Sequence, residues 1–143
     1  MSYQLRELLK RHEGVKTHAY KDHLGYVTVG VGRCLEDEIG LGLSDDEIDY
    51  LLNNDIARCR EELNSEYSWF GDMDSIRQEA LINLSFNIGQ TRLRGFVKAL
   101  GHMEAGDYES AGDEFYDSKW ASQVGDRALE VCQMIRSGEY QER

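Results

Sequence analysis

The stretch that decides the fold of this chain is residues 12–32, HEGVKTHAYKDHLGYVTVGVG. It follows a segment with the spacing of an amphipathic helix, for which Ser2 is a suitable N-cap. Four residues of that segment fall on one helical face: Leu5, Leu8, Leu9 and His12. From Ala19 to about Ile39 the pattern changes to short alternating runs, with a turn at residues 22–25, which predicts a small antiparallel sheet.

Three polar residues of this stretch have the side chains that hydrolysis of a glycosidic bond needs. Glu13 would close the helix, eight residues separate it from Asp22, and five separate Asp22 from Thr28. A carboxylic acid can protonate the leaving oxygen, while a carboxylate and a hydroxyl hold the attacking water. The spacing alone is weak support, because 27 acidic residues make chance pairs common. The glycines of residues 28–32 favour either a close backbone approach beside a site or a plain hairpin with a bulge.

The same motif resembles the phage-type lysozymes, glycoside hydrolase family 24. The resemblance rests on the Glu-x8-Asp-x5-Thr spacing, with Gly-Tyr before the threonine and Gly-x-Gly after it. It resumes at residues 77–89, at Gly95–Phe96, and at residues 118–120 followed by Asp126–Arg127, so it spans nearly the whole chain in order. It implies an α+β, lysozyme-like fold and an enzyme that cuts the β-1,4 bond between N-acetylmuramic acid and N-acetylglucosamine in bacterial peptidoglycan.

The periodicity predicts one domain, residues 1–143, built from two lobes with a cleft between them. The sheet-bearing lobe covers about residues 13–43, and a capping box at Ser44–Glu47 opens a connecting helix over about residues 44–64. The helical lobe covers about residues 72–143 together with the N-terminal helix, 2–12. The most apolar helix of this lobe carries Ile76, Ala80, Leu81, Leu84 and Ile88, which predicts its buried centre.

The resemblance implies a role for each catalytic residue. Glu13 matches the general acid, Asp22 the carboxylate that helps to activate water, and Thr28 the hydroxyl that positions this water. Together they imply inversion at the anomeric carbon. Arg127 matches an arginine that pairs with the glutamate.

Phe86, Asn87 and Ser118 match substrate-binding positions of the family. Phe86 is equally compatible with a place in the core. Asn87 favours contact with sugar, because an amide gains nothing inside a helix. We predict that Trp120 belongs to the core of the helical lobe.

Arg33 departs from the T-even members of the family, which have a histidine at this position. The aspartate that pairs with this histidine aligns with Asp55, so we predict that Arg33 and Asp55 form an ion pair. An arginine can serve the same carboxylate without titrating near neutral pH.

Composition limits the partners of the chain. With 16 basic and 27 acidic residues the net charge is −11, which argues against binding to nucleic acid. No apolar run reaches the ~18 residues of a membrane span, and the N-terminus lacks a signal-peptide core. We therefore expect a monomer without membrane insertion that is made in the host cytoplasm and acts on peptidoglycan glycan strands after release, which a separate pore-forming protein could provide. The three cysteines and four histidines lack metal-ligand spacing, so we expect free thiols, no metal and no cofactor.

Three other functions remain open at the level of sequence. A lytic transglycosylase cuts the same bond with one glutamate and no second carboxylate, so Asp22 and Thr28 argue against it. A non-catalytic peptidoglycan-binding module needs no acid at all. A virion-mounted enzyme that opens the wall during entry would share the chemistry of a host-lysis enzyme and differ only in its biological role.

Overall fold

A computed structural model describes residues 3–141 of the chain. The predicted N-cap, Ser2, lies outside the described residues. Contacts between Cα atoms divide the chain into two compact units, residues 1–51 and residues 52–143. The first unit contains the N-terminal helix, which the sequence analysis grouped with the helical lobe. Among the helices of residues 3–141, none combines the length and the apolar composition that a membrane span requires.

The first unit consists of helix α1 (Tyr3–Glu13) and a three-stranded antiparallel sheet of order β1-β2-β3. Its strands are β1 (Lys16–Lys21), β2 (Val27–Gly30) and β3 (Arg33–Cys34). The predicted sheet is confirmed, but it covers residues 16–34, whereas the sequence pattern predicted residues 19–39. The predicted turn is also confirmed, since the Gly25 N–H donates to the Asp22 carbonyl over 2.9 Å.

Helix α2 (Asp45–Glu66) begins at the predicted capping box. The Ser44 N–H donates to Glu47 Oε1 over 2.8 Å, and the Glu47 N–H donates to Ser44 Oγ over 3.3 Å. These reciprocal bonds satisfy donors that the first turn of a helix leaves without intrahelical partners. The boundary between the two compact units falls within this helix.

The second unit contains the rest of α2, a 3₁₀ turn (Phe70–Asp72) and five further helices. These are α3 (Ser75–Arg94), α4 (Val97–Ala105), α5 (Tyr108–Tyr116), α6 (Lys119–Val124) and α7 (Asp126–Ser137). The sequence pattern also predicted shorter helices over residues 96–103, 108–115 and 126–135, and α4, α5 and α7 lie within two residues of these bounds. The short helix α6 was not predicted, because six residues carry too little periodicity to be recognised.

Helix α3 is the centre of this unit, as predicted. Ala80, Leu81 and Leu84 are fully buried, and Ile76 and Ile88 pack against the core from partly buried positions. Trp120 is 3% exposed, which confirms its place in the core. The helix bends at Gly89, whose φ of 80° lies in the left-handed region that glycine adopts readily.

Candidate active site

The side chain of Glu13 lies directly against the backbone of Gly32. A Cβ atom added at Gly32 would stand 2.8 Å from Glu13 Oε2 and 3.0 Å from Glu13 Cδ. Gly32 also has a φ of +68°, in the bend that joins β2 to β3. Both alternatives for the glycine motif therefore hold, because the hairpin bend and the close approach occur at the same residue. The bend places the Glu13 carboxyl group beside the sheet.

Asp22 and Thr28 are held by the backbone of one residue, Tyr26. Asp22 Oδ1 accepts the N–H groups of Leu24 and Tyr26, each over 2.9 Å. The Tyr26 carbonyl accepts the Asp22 N–H and the Thr28 hydroxyl, also over 2.9 Å. One carboxylate oxygen and the hydroxyl proton are thus committed to the backbone. Asp22 Oδ2 and the lone pairs of Thr28 Oγ1 have no donor among the described residues.

Thr28 is the one catalytic candidate that is buried, with 3% of its surface exposed. In the strand register Cys34 stands opposite it on β3 and Tyr20 opposite it on β1. Directly opposed residues of antiparallel strands project from the same face of a sheet. The Cys34 side chain therefore shares a face with the candidate hydroxyl.

Alkylation of the folded protein is expected to modify Cys34 first. Cys34 is partly exposed, whereas Cys59 and Cys132 are buried. Burial raises the pKa of the Cys132 thiol to about 11, and it also raises the pKa of the Cys59 thiol. Since the thiolate is the reactive form, the buried thiols should react only after unfolding. Mass spectrometry after brief iodoacetamide treatment should locate one adduct, at Cys34, together with loss of activity. The Cys34→Ser variant should keep its activity under the same treatment, and early labelling of Cys59 or Cys132 would contradict this expectation.

The partner of Arg33 is Glu47 and not the predicted Asp55. Arg33 Nη1 donates to Glu47 Oε2 and, over 3.2 Å, to the Gly42 carbonyl. Asp55 accepts from Arg58, with 3.0 Å between Arg58 Nη2 and Asp55 Oδ1. Both carboxylates lie on α2, eight residues apart. The arginine therefore takes the carboxylate of the capping box, and its contacts hold the loop at Gly42 against the start of α2.

Glu47 is expected to stabilise the fold only while it is ionised. The Ser44 N–H, then the Arg33 guanidinium and the Ser44 hydroxyl, lower its pKa from 4.5 to about 2. A pKa lowered by folding adds stability above the unfolded value, and this stability is lost as the pH falls from 4.5 towards 2. Glu47→Gln should therefore lower the urea midpoint at pH 7, and its difference from wild type should shrink across that range.

The matched control for this measurement is Asp45→Asn. It removes an equal charge from the same first turn of α2, and no ion pair within residues 3–141 involves Asp45. The two variants should differ most at neutral pH. An identical pH dependence in both would show that the Arg33 contact does not stabilise the fold.

In the second unit, Arg127 is oriented by Asn83. Its Nε donates to Asn83 Oδ1 over 3.0 Å and its Nη2 donates to the Asn83 carbonyl over 3.3 Å. Arg127, Asn83 and Phe86 together line a cavity of about 280 Å³. Phe86 is 46% exposed, which excludes a buried core position for its ring. The predicted pairing of Arg127 with Glu13 would join residues of the two units and stays a prediction.

Asn87 and Ser118 each have a partner that the sequence analysis did not identify. Asn87 Oδ1 accepts from the indole of Trp120 over 2.8 Å, which fixes the orientation of the amide and leaves its NH₂ group to donate to a sugar. Ser118 is the N-cap of α6, since its Oγ accepts the Ala121 N–H over 3.2 Å and donates to the Phe115 carbonyl over 2.6 Å. Both contacts are structural, and the sugar-binding roles of the two residues remain predictions.

Three residues that organise these sites were not predicted as site residues: Gly32, Glu47 and Asn83. The Gly-x-Gly pattern signalled Gly32, although it did not indicate which side chain approaches it. The capping box signalled Glu47 as a local partner of Ser44 alone. No signal identified Asn83, because it lies 44 positions from Arg127. Within residues 3–141, no group of three or more His, Cys, Asp or Glu side chains is placed to hold a metal ion.

Comparison with known proteins shows the family of the chain. The sequence model of the phage lysozyme family matches residues 10–137, and the chain therefore belongs to the phage lysozyme family. It is accordingly a glycoside hydrolase of the lysozyme class. This confirms the fold class and the family that the motifs indicated.

The relatives of the chain include proteins of phages and of a cellular organism. It is 26% identical over 164 residues to the probable T4-type lysozyme 1 of Dictyostelium discoideum, an alignment that covers 96% of each chain. It is 31% identical over 114 residues to an endolysin of Acyrthosiphon pisum secondary endosymbiont phage 1, covering 80% of this chain and 75% of the endolysin. A third relative, the pre-baseplate central spike protein Gp5 of Enterobacteria phage T4, is 28% identical over 94% of this chain and 28% of its own length.

Proposed function

We propose that the protein hydrolyses the β-1,4 bond between N-acetylmuramic acid and N-acetylglucosamine in peptidoglycan, with inversion at the anomeric carbon. The observation that carries this proposal is that one three-stranded sheet holds all three groups. The bend between β2 and β3 holds the Glu13 carboxyl group at Gly32, and the Tyr26 backbone holds Asp22 and Thr28. An acid and a water-binding pair are the parts that an inverting glycosidase requires.

In the proposed mechanism each group has one role. Glu13 donates its proton to the glycosidic oxygen as the bond to the anomeric carbon breaks. The Thr28 proton is committed to the Tyr26 carbonyl, so its oxygen can only accept a hydrogen bond from the attacking water. Asp22 Oδ1 is occupied by two N–H groups, which leaves Oδ2 to accept the second proton of that water. The water oxygen then attacks from the face opposite the leaving group.

The anomeric configuration and the chemical identity of the product distinguish inverting hydrolysis from the alternatives. Digestion of purified peptidoglycan in H₂¹⁸O should give reducing N-acetylmuramic acid ends that carry one ¹⁸O, and early NMR spectra should show the α anomer. A 1,6-anhydro sugar without ¹⁸O would establish a lytic transglycosylase instead. The absence of new ends with retained binding to the wall would establish a non-catalytic module.

We further propose that this activity serves the lysis of a host cell by a phage. Two relatives are named endolysins, with 31% and 28% identity to this chain. Expression in a susceptible bacterium should cause lysis only when a separate pore-forming protein is expressed with it. The relative Gp5 is a spike protein, which supports a virion-mounted role as the second candidate. Recovery of the protein in purified phage particles would favour this second role.

A further inference from the structure

The second unit has a surface groove at the end of helix α2. Two surface cavities, of about 700 and 510 Å³, share the residues Glu66 and Arg94. These two side chains form an ion pair, with 2.7 Å between Arg94 Nε and Glu66 Oε1. We call the joined cavities the α2–α3 groove. Neither cavity is lined by a residue to which we assign a catalytic or substrate-binding role.

The groove contains unsatisfied polar atoms. Within residues 3–141, the buried side-chain atoms without a hydrogen-bond partner are Gln90 Nε2, Gln90 Oε1 and the Tyr67 hydroxyl. Gln90 lines the larger cavity and Tyr67 the smaller one. A buried polar group without a partner destabilises the fold, so its presence calls for an explanation. Because no internal bond holds the Gln90 amide, the amide can turn into the groove without breaking a protein hydrogen bond.

The other residues of the groove define the chemistry of its ligand. The rings of Tyr67 and Trp69 stand 5.1 Å apart between centroids and supply an aromatic surface. Four glutamates and two arginines line the groove, which disfavours an anion. Carboxylates only accept hydrogen bonds, so the ligand must bring donors such as hydroxyl groups. The Gln90 amide offers a donor and an acceptor, so it can either donate to the C=O of an acetamido group or accept from its N–H.

We propose that the α2–α3 groove is a second saccharide-binding site, which takes a neutral N-acetylated hexosamine. Trp69 stacks on the pyranose ring, Gln90 pairs with the acetamido group, and the Glu66 carboxylate accepts from a hydroxyl. Such a site retains the enzyme on the glycan without help from its net charge of −11. Binding here does not depend on the catalytic roles of Glu13, Asp22 or Thr28, so it can be tested separately from the proposed hydrolysis.

The test is an NMR titration of the full chain carrying Glu13→Gln. Triacetylchitotriose should shift the side-chain amide signal of Gln90 and the indole signal of Trp69 in a saturable way. Cellotriose, which has the same linkage without acetamido groups, should bind this site at least about tenfold more weakly, the loss expected when a hydrogen-bonded pair is missing. Shifts confined to residues near Phe86 and Arg127, or equal shifts with cellotriose, would overturn the proposal.

Two variants separate binding from folding. Gln90→Leu should have a melting temperature no lower than that of its parent, because it removes polar atoms that have no hydrogen-bond partner. It should also abolish the ligand-induced shift of the Trp69 indole signal. Trp69→Phe provides a second test if Gln90→Leu does not fold. In the active chain, both variants should hydrolyse soluble glycan fragments at the parental rate and insoluble peptidoglycan several times more slowly. An unchanged rate on insoluble peptidoglycan would overturn the proposed retention.

Discussion

Glu13→Gln is expected to abolish hydrolysis of peptidoglycan while the protein stays folded. The amide keeps the size of the side chain against Gly32, but it cannot donate the proton that the leaving oxygen needs. General acid catalysis contributes typically ~10²–10⁴-fold, so the rate should fall by about that factor. Initial rates of release of reducing ends measure this effect, and thermal unfolding checks that the variant is folded.

Glu7→Gln is the control for this experiment. Glu7 also lies on α1, but it contacts Lys10 at 3.5 Å and has no role in the proposed chemistry. Its loss should leave the rate near that of the wild type. Retention of more than about a tenth of the wild-type rate by Glu13→Gln, well above the residual activity that loss of a general acid leaves, would show that Glu13 is not the acid.

Gly32→Ala is expected to lose most of its activity, whereas Gly30→Ala is expected to keep it. The two glycines have nearly equal φ values, 68° and 69°, so an alanine should be strained to a similar degree at both, by roughly 1–2 kcal/mol. The new methyl group would meet the Glu13 carboxyl group at Gly32 but has open space at Gly30. Displacement of a catalytic group by about 1 Å can cost ~10²-fold in rate, which we expect for Gly32→Ala alone.

The pair of variants separates strain from positioning. Both variants should show a similar decrease in the free energy of unfolding, measured by urea denaturation. Any difference between their hydrolysis rates then measures the effect of the methyl group on Glu13. Because the methyl group moves the acid and not the substrate, kcat should fall more than KM rises. Equal activities of Gly32→Ala and Gly30→Ala would contradict a positioning role for Gly32.

Much of the fold could be predicted because its signals are local. The Ser44–Glu47 capping box and the turn at residues 22–25 each depend on hydrogen bonds between residues three positions apart. The burial of α3 follows from apolar residues repeated at helical spacing. The bounds of the sheet were less accurate, since strand ends are set by pairing partners that a single strand does not reveal.

The candidate site was predicted in its residue types and corrected in its contacts. Glu13, Asp22 and Thr28 came from one motif, and the family assignment supports the chemistry that it implied. Arg33 was expected at Asp55, but it bonds Glu47. Glu47 and Asp55 carry the same charge, so charge alone did not distinguish them as partners. The path of residues 33–44 places Glu47 beside the Arg33 guanidinium.

By itself, the sequence determined the lysozyme class, the order of the helices and strands, and the short-range caps and turns. The tertiary structure decided which distant side chains meet. Glu13 rests on Gly32, Asn83 orients Arg127, and the Trp120 indole takes the amide oxygen of Asn87. The reason is physical: a turn or a cap is closed by a few backbone dihedral angles, whereas a contact across 19, 33 or 44 positions depends on how whole elements pack.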